Sequence, residues 1–291
     1  MLAHRTPGPA GATNTPQPAT TPATTTTASQ SPSQTGFPAP PDGAVVFSRR
    51  HGHNVLALGV VPGRRLLLQA SVVGGQGNGV SGLPIFFRVG SKVAPGQSCG
   101  AGCYRGTVPS TSAPRTVEVD VGKTAWKVPM PRQWPPKDAS AIVARATHAF
   151  RSLRTVAVRD WLTSGPQRPL FTRWTIVAPN RLSYQVKNGP AAVIIGNRRW
   201  DKLPGERWQE SAQTPVHQPT PFWVSWTDAH VLGSTRSAWH VSFFDPKTPG
   251  WYELYIAKPT MLTTDVRMNA TAHFMREVYS RFNAPLEVTP P

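Results

Sequence analysis

Apolar residues along this chain fall in short runs separated by turn residues, and in several runs they alternate with polar ones. From Ala44 to Met130, the runs Val55 to Val61, Arg65 to Val73, Leu83 to Val89, Tyr104 to Val108, Thr116 to Val121 and Ala125 to Val128 predict six strands between Pro-Gly, Gly-rich and Ser/Thr/Pro turns. Thr116-Val-Glu-Val-Asp-Val121 alternates at period two, as a strand with one buried face should. No helical window competes, so a small immunoglobulin-like β-sandwich is expected over residues 42–130. Within it, Gly77-Asn-Gly-Val-Ser-Gly82 satisfies G-x-G-x-x-G, but an apolar strand follows where a dinucleotide fold needs a helix. The segment therefore reads as a glycine-rich turn.

After a linker at 131–137 the period changes. Asp138 can cap a helix from Ala139 to about Leu153, with Ile142, Ala146, Ala149 or Phe150, and Leu153 on one face. Strands then return at Val156 to Thr163, Phe171 to Val177, Arg181 to Val186, Ala191 to Ile195, Arg198 to Leu203, Arg207 to Ser211, Trp239 to Phe244 and Trp251 to Ala257. One amphipathic helix followed by a long meander predicts a curved antiparallel half-barrel wrapped around that helix over residues 138–291. The fold class is mainly β. Over residues 263–282 two periods compete: Val266, Ala270, Phe274, Val278 and Phe282 recur every four residues, whereas Val266, Met268, Ala270 and Ala272 recur every two.

Composition adds a third segment. Residues 1–41 hold ten Thr and nine Pro with one ionic residue, Arg5, and read as a disordered stalk that cannot bury enough surface to offset its ordering entropy. The 291 residues carry a net charge of +17, spread along the chain with no Lys/Arg run longer than two. That spread argues against the concentrated stripe of a nucleic-acid binder but remains compatible with an anionic membrane surface. No run approaches the length needed to cross a bilayer as a helix. The start, Met1-Leu-Ala-His-Arg5, lacks a signal-peptide core, so the chain is either cytosolic or the soluble tail of a longer membrane protein or a mis-started frame. The two cysteines favour an extracytoplasmic setting: in Ser98-Cys-Gly-Ala-Gly-Cys-Tyr104 two glycines let Cys99 and Cys103 meet, and a structural disulfide is expected.

Residues 138–291 resemble the LolA/LppX-like family of lipoprotein and lipid carriers. The likeness lies in the order of parts: Phe150-Arg-Ser-Leu-Arg-Thr155 ending the helix, Thr163-Ser-Gly165, Ala178-Pro-Asn-Arg-Leu182, and Ile194-Ile-Gly-Asn-Arg-Arg-Trp200 with Pro204-Gly-Glu-Arg-Trp208. Phe244-Asp-Pro246, Trp251-Tyr-Glu-Leu-Tyr-Ile256 and Tyr279-Ser-Arg-Phe-Asn283 with Pro285 complete it. The whole chain is similar to the extracytoplasmic C-terminal region of actinobacterial copper-resistance D-type membrane proteins, which carries Cys-Gly-x-Gly-Cys-Tyr and Arg-Met-x-Ala-x-Ala-His-Phe-Met; here these are Cys99 to Tyr104 and Arg267 to Met275. The carrier resemblance implies that residues 264–272 form a strand with Val266, Met268, Ala270 and Ala272 on the concave face, with Phe274 to Tyr279 as its continuation or partner.

The function implied is a non-enzymatic binding module that holds or senses a hydrophobic, lipid-like ligand or docks a partner such as a membrane protein. Nine of the ten Trp lie at or beyond Trp134. Trp174, Ile176, Tyr184, Val186, Val241, Phe243, Tyr252, Leu254, Ile256 and Met268 would line one concave face, either around a cavity or as a filled core. The alternative is an accessory copper-binding domain. Its candidate ligands are His51 and His53, at strand spacing, and Met261, Met268, His273 and Met275. No cofactor is expected, and no hydrolase motif such as G-x-S-x-G, H-E-x-x-H or S-x-x-K occurs. Asp160, Asp201 and Asp228 sit beside basic or aromatic residues and read as surface pairs, Asp245-Pro246 as turn chemistry, and Asn269-Ala-Thr271 as an idle sequon.

Overall fold

The structure is a computed structural model that describes residues 38–110, 113–164, 168–271 and 273–291. The stalk expected over residues 1–41 lies outside the described residues except for its last four. Those four are held in place: Gln69 Nε2 donates to the Ala39 carbonyl at 2.6 Å, and Ser71 Oγ donates to the Pro38 carbonyl at 3.1 Å.

The first part consists of nine strands: β1 (Val45–His51), β2 (Asn54–Val61), β3 (Arg65–Val73), β4 (Ile85–Val89), β5 (Lys92–Pro95), β6 (Gln97–Gly100), β7 (Cys103–Pro109), β8 (Thr116–Val121) and β9 (Thr124–Pro129). They form a five-stranded sheet in the order β1-β2-β3-β7-β6 and a four-stranded sheet in the order β5-β4-β8-β9. Leu56, Leu58, Leu66 and Leu68 of the first and Phe87, Val117 and Val119 of the second belong to one buried cluster, so each sheet buries its alternating apolar face against a shared core. Cys99 and Cys103 are joined in a disulfide, with Cα atoms 5.0 Å apart. The Gly77–Gly82 segment is a turn folded back on β3, through hydrogen bonds from Gly74 N to Asn78 O and from Val80 N to Val72 O. A Cβ on Gly79 would lie 2.1 Å from the Ala101 carbonyl oxygen, so glycine is required there for a close backbone approach to the disulfide loop.

The second part opens with α1 (Ser140–Arg151), bounded at its start by Asp138, whose carboxylate accepts hydrogen bonds from Ser140 N and Oγ. Its buried face is Val143, Ala146, Thr147 and Phe150; Ile142 and Ala149, expected at the centre of that face, lie at its margin. The strands that follow are β10 (Thr155–Ser164), β11 (Leu170–Val177), β12 (Arg181–Val186), β13 (Ala191–Ile195), β14 (Arg198–Lys202), β15 (Gln209–Ala212), β16 (Thr227–Ser234), β17 (Ala238–Asp245), β18 (Gly250–Ala257), β19 (Thr263–Ala270) and β20 (His273–Ser280). They form one antiparallel sheet in the order β15-β14-β13-β12-β11-β10-β20-β19-β18-β17-β16, whose edges do not meet, so it is not closed into a barrel. Residues 263–270 are strand, as the period-two pattern implies; Ala272 lies outside the described residues.

Register separates the two faces of this sheet. Val158, Tyr279, Val266, Leu254 and Val241 join the helix in one core, on what we call the inner face. Phe244, Trp251 and Phe274 point the other way and pack on Ala44, Val46, Val55, Ala57 and Val73 of the first part. At the β14 side, the outer-face residues Val193 and Trp200 are covered by Val288 of the C-terminal segment.

Candidate functional site

The inner face divides into a filled half and a roofed half. Over β16–β20 the helix and Trp223 occupy it. Val241, Phe243, Leu254 and Ile256, all fully buried, are core packing with Val143, Ala146 and Phe150, whereas Tyr252, 2 % exposed, packs in that core and also lines a second pocket with Met268. Met268 packs at the edge of the same cluster, directly opposite Met275.

Beyond Val158 of β10, which joins the helix core, the inner face continues over β11 and β12. Residues 213–226 cross it as a strap. One end is tied by Gln213 N to Asn197 O (2.8 Å) and Gln218 N to Pro179 O (2.8 Å). In the middle Trp223, 1 % exposed, donates its indole N–H to Thr147 Oγ1 at 2.8 Å. The far end is tied by Asp245, whose carboxylate accepts from Val224 N (2.7 Å), Ser225 N (3.3 Å) and Ser225 Oγ (2.5 Å) while also accepting from Lys247 N, Thr248 N and Thr248 Oγ1 in its own hairpin. Burial raises the Asp245 pKa, but hydrogen bonds led by that of Ser225 outweigh it and hold the carboxyl below its ordinary range.

Between strap and sheet lies a pocket of about 270 Å³, lined by Val158, Trp174, Ile176 and Leu182 from the strands, Gln218, Thr220, Pro221 and Phe222 from the strap, and Glu277. Of the residues expected on the concave face, Trp174 and Ile176 line this pocket. Tyr184 packs at a tilt against Trp174 with ring centroids 4.7 Å apart, and Val186 lies half-buried one pair along the ladder.

The polar groups of the pocket were not legible as functional residues. Asp160 does not form the expected surface pair with Arg159: alternation along β10 turns Asp160 inward, where it is 5 % exposed and directly opposite Glu277, 1 % exposed, on β20. Burial raises the pKa of Asp160 to about 6, against a smaller lowering by the Trp174 indole N–H. Burial also raises Glu277 to about 8, aided by the Asp160 charge and opposed by a hydrogen bond from the Tyr279 hydroxyl. The two carboxyls titrate as a coupled pair whose hold on protons burial strengthens. Asp160 Oδ1 and the Trp174 Nε1 it faces are both buried without a hydrogen bond of full geometry among the described residues. Of the other two expected surface carboxylates, Asp201 pairs with Arg199 at 2.6 Å, whereas Asp228 accepts from Gly43 N of the first part at 2.6 Å.

The expected metal ligands are brought together only in part, with Met268 opposite Met275 across β19 and β20. His51 ends β1 and pairs with Asn54, which places His53 in the intervening turn and not on a shared strand face. His273 is exposed, with Nδ1 3.0 Å from the Thr271 carbonyl, whereas Met275 and Met261 are buried in the apolar core. Among the described residues no group of three or more His, Cys, Asp or Glu side chains could hold a metal ion, and no helix is long and apolar enough to cross a membrane.

No protein-family model matches the chain, and no curated protein matches it. The whole-chain resemblance to copper-resistance D-type regions thus finds no support. Among solved structures, the chain is similar to LprF from Mycobacterium bovis, with 11 % identity and a TM-score of 0.37 over 54 % of this chain and 98 % of that one. It is also similar to the LolA superfamily protein NE2245 from Nitrosomonas europaea, with 11 % identity and a TM-score of 0.27 over 52 % and 95 %.

Proposed function

We propose that this chain is a non-enzymatic binding module that holds a small apolar ligand with a neutral polar head in the pocket between β10–β12 and the strap. The observation that carries the reading is an apolar pocket, walled by Val158, Trp174, Ile176, Leu182 and Phe222, to which the buried residue Glu277 makes the one ionisable contribution. A protonated Glu277 carboxyl can donate to, and Thr220 and Gln218 can exchange hydrogen bonds with, a neutral hydroxyl. A volume of about 270 Å³ fits a single chain segment or ring and not a whole phospholipid. An anionic head is disfavoured by the charge that Asp160 carries at neutral pH. Binding is favoured over catalysis because no serine, cysteine or histidine lines the pocket.

The same reading places the protein outside the cytoplasm, supported by the Cys99–Cys103 disulfide. It takes residues 138–291 as a LolA-like half-barrel. It takes the first part as an immunoglobulin-like sandwich, supported by strand order: β2-β3-β7-β6 faces β5-β4-β8-β9, the arrangement of that fold with β1 added at one edge.

Calorimetric titration tests the function. Decanol is expected to bind with a negative heat-capacity change, and decanoate more weakly. Ile176→Trp fills the pocket and is expected to cost at least about tenfold in decanol affinity with the thermal midpoint retained. Unchanged affinity in that variant, or no binding of decanol and no co-purified apolar mass by native mass spectrometry, would sink the reading.

A further inference from the structure

The described chain exposes six large apolar side chains, and four of them, Leu170, Leu203, Phe222 and Val224, belong to one end of the eleven-stranded sheet, at 57, 53, 48 and 51 % exposure. The register fixes their placement. Leu170 opens β11 opposite Leu162, near the end of β10. Leu203 follows Lys202, which pairs with Ala191 at the start of β13. Val224 is tied to Asp245, which closes β17 opposite Gly250 at the start of β18. Phe222 stands two residues earlier in the strap and also lines the pocket.

Around these side chains stand the exposed cations Arg168, Lys187, Lys202, Arg207 and Lys247, with Glu206 as the exposed acid beside Leu203. The opposite end, formed by the turns at 178–180, 196–197, 235–237 and 258–262, has none of the exposed large apolar residues. Apolar tips inside a ring of cations match a surface that offers hydrocarbon beneath phosphates.

We propose that this end of the sheet docks on an anionic phospholipid bilayer, with Leu170, Leu203, Phe222 and Val224 entering the interface and the five cations against the headgroup phosphates. The docking does not depend on what the pocket holds.

Vesicle flotation of the full chain tests it. Binding is expected with phosphatidylcholine vesicles containing phosphatidylglycerol and not with phosphatidylcholine alone. Leu170→Ser with Leu203→Ser should lower the partition at least about tenfold. Lys187→Gln with Lys202→Gln should lower it by more than about tenfold, and added salt should weaken parent binding and narrow that difference. Arg181→Gln with Arg236→Gln, at the opposite end, should change it less than about twofold. No flotation with any vesicle, full binding by the leucine variant, or an equal loss in the opposite-end variant would overturn the proposal. The first outcome would leave a protein partner as the occupant of this surface. Decanol titration of the leucine variant should match the parent, so the docking and pocket readings fail separately.

Discussion

Asp160 and Glu277 face each other across β10 and β20 with their charges removed from water, and their protonation is a statement about stability. Both carboxyls have pKa values raised in the fold, to about 6 and about 8, from ordinary values of 3.8 and 4.5. The folded protein therefore binds protons more tightly than the unfolded chain. The stabilisation is complete below the unfolded values and is lost as pH rises through the folded ones. Thermal unfolding midpoints should fall as pH rises from about 4 to about 8, and Glu277→Gln, which cannot ionise but still accepts from Tyr279, should remove most of the fall above about pH 6. A parallel slope in the variant would mean that Glu277 is not the group titrating. Sequence alone hid this pair. Along β20 the alternation is masked because both faces are covered, Phe274 by the first part and Met275 by the inner core, so Glu277 beside Arg276 looks like surface charge.

At the scale of elements, the strap was legible only through the carboxylate that ends it. Asp245-Pro246 reads as turn chemistry, and Asp245 does cap its hairpin, but three of its six accepted hydrogen bonds come from Val224 and Ser225, twenty residues away. Asp245→Ala leaves those donors without their acceptor, and a loss of about 3 kcal/mol is expected in urea unfolding at neutral pH. Because its pKa is depressed, this contribution is present above the unfolded carboxyl value and fades as pH falls through the folded one, so parent and variant should converge in acid. Hydrogen exchange should quicken at 222–226 before it does in β17; equal protection in parent and variant would show that Trp223 alone holds the strap. The neighbouring β16 escaped the sequence pattern for a related reason. Its register slips twice, between Thr227 and His230 and between Val231 and Gly233, with Asp228 at φ 52°, and each slip breaks the period of two. In the tail the period of four competes with the period of two, so the strand followed from the carrier resemblance, and β19 puts Val266 and Met268 on the inner face. The strands β5 and β6, of four residues each, are too short and polar to announce themselves, and β1 has only Val45, Val46 and Phe47 before its polar half.

For the whole molecule, the linker at 131–137 predicts two independent bodies, but the described chain packs them through a common core. Phe244, Trp251 and Phe274, on the outer face of the large sheet, are buried against Ala44, Val46, Val55, Ala57 and Val73. Polar ties flank that contact, with Asn269 Nδ2 donating to Ser48 Oγ at 2.8 Å and Gly43 N donating to Asp228 at 2.6 Å. The apolar residues at the start of β1 explain the arrangement: Val45 and Phe47 face the core shared by the two small sheets while Val46 faces the large one, so β1 is buried on both sides and mortars the parts together. A surface that buries a tryptophan at 2 % exposure couples the unfolding of its two sides. Calorimetry of the parent chain should show a single transition whose van't Hoff and calorimetric enthalpies agree. Trp251→Ala opens a void at the centre of the joint, with an expected loss of about 3–5 kcal/mol, and should resolve the trace into two transitions as the parts begin to unfold separately. Two transitions in the parent would show that the parts are thermodynamically independent despite the shared core, and the ligand pocket would then owe its stability to residues 138–291 alone.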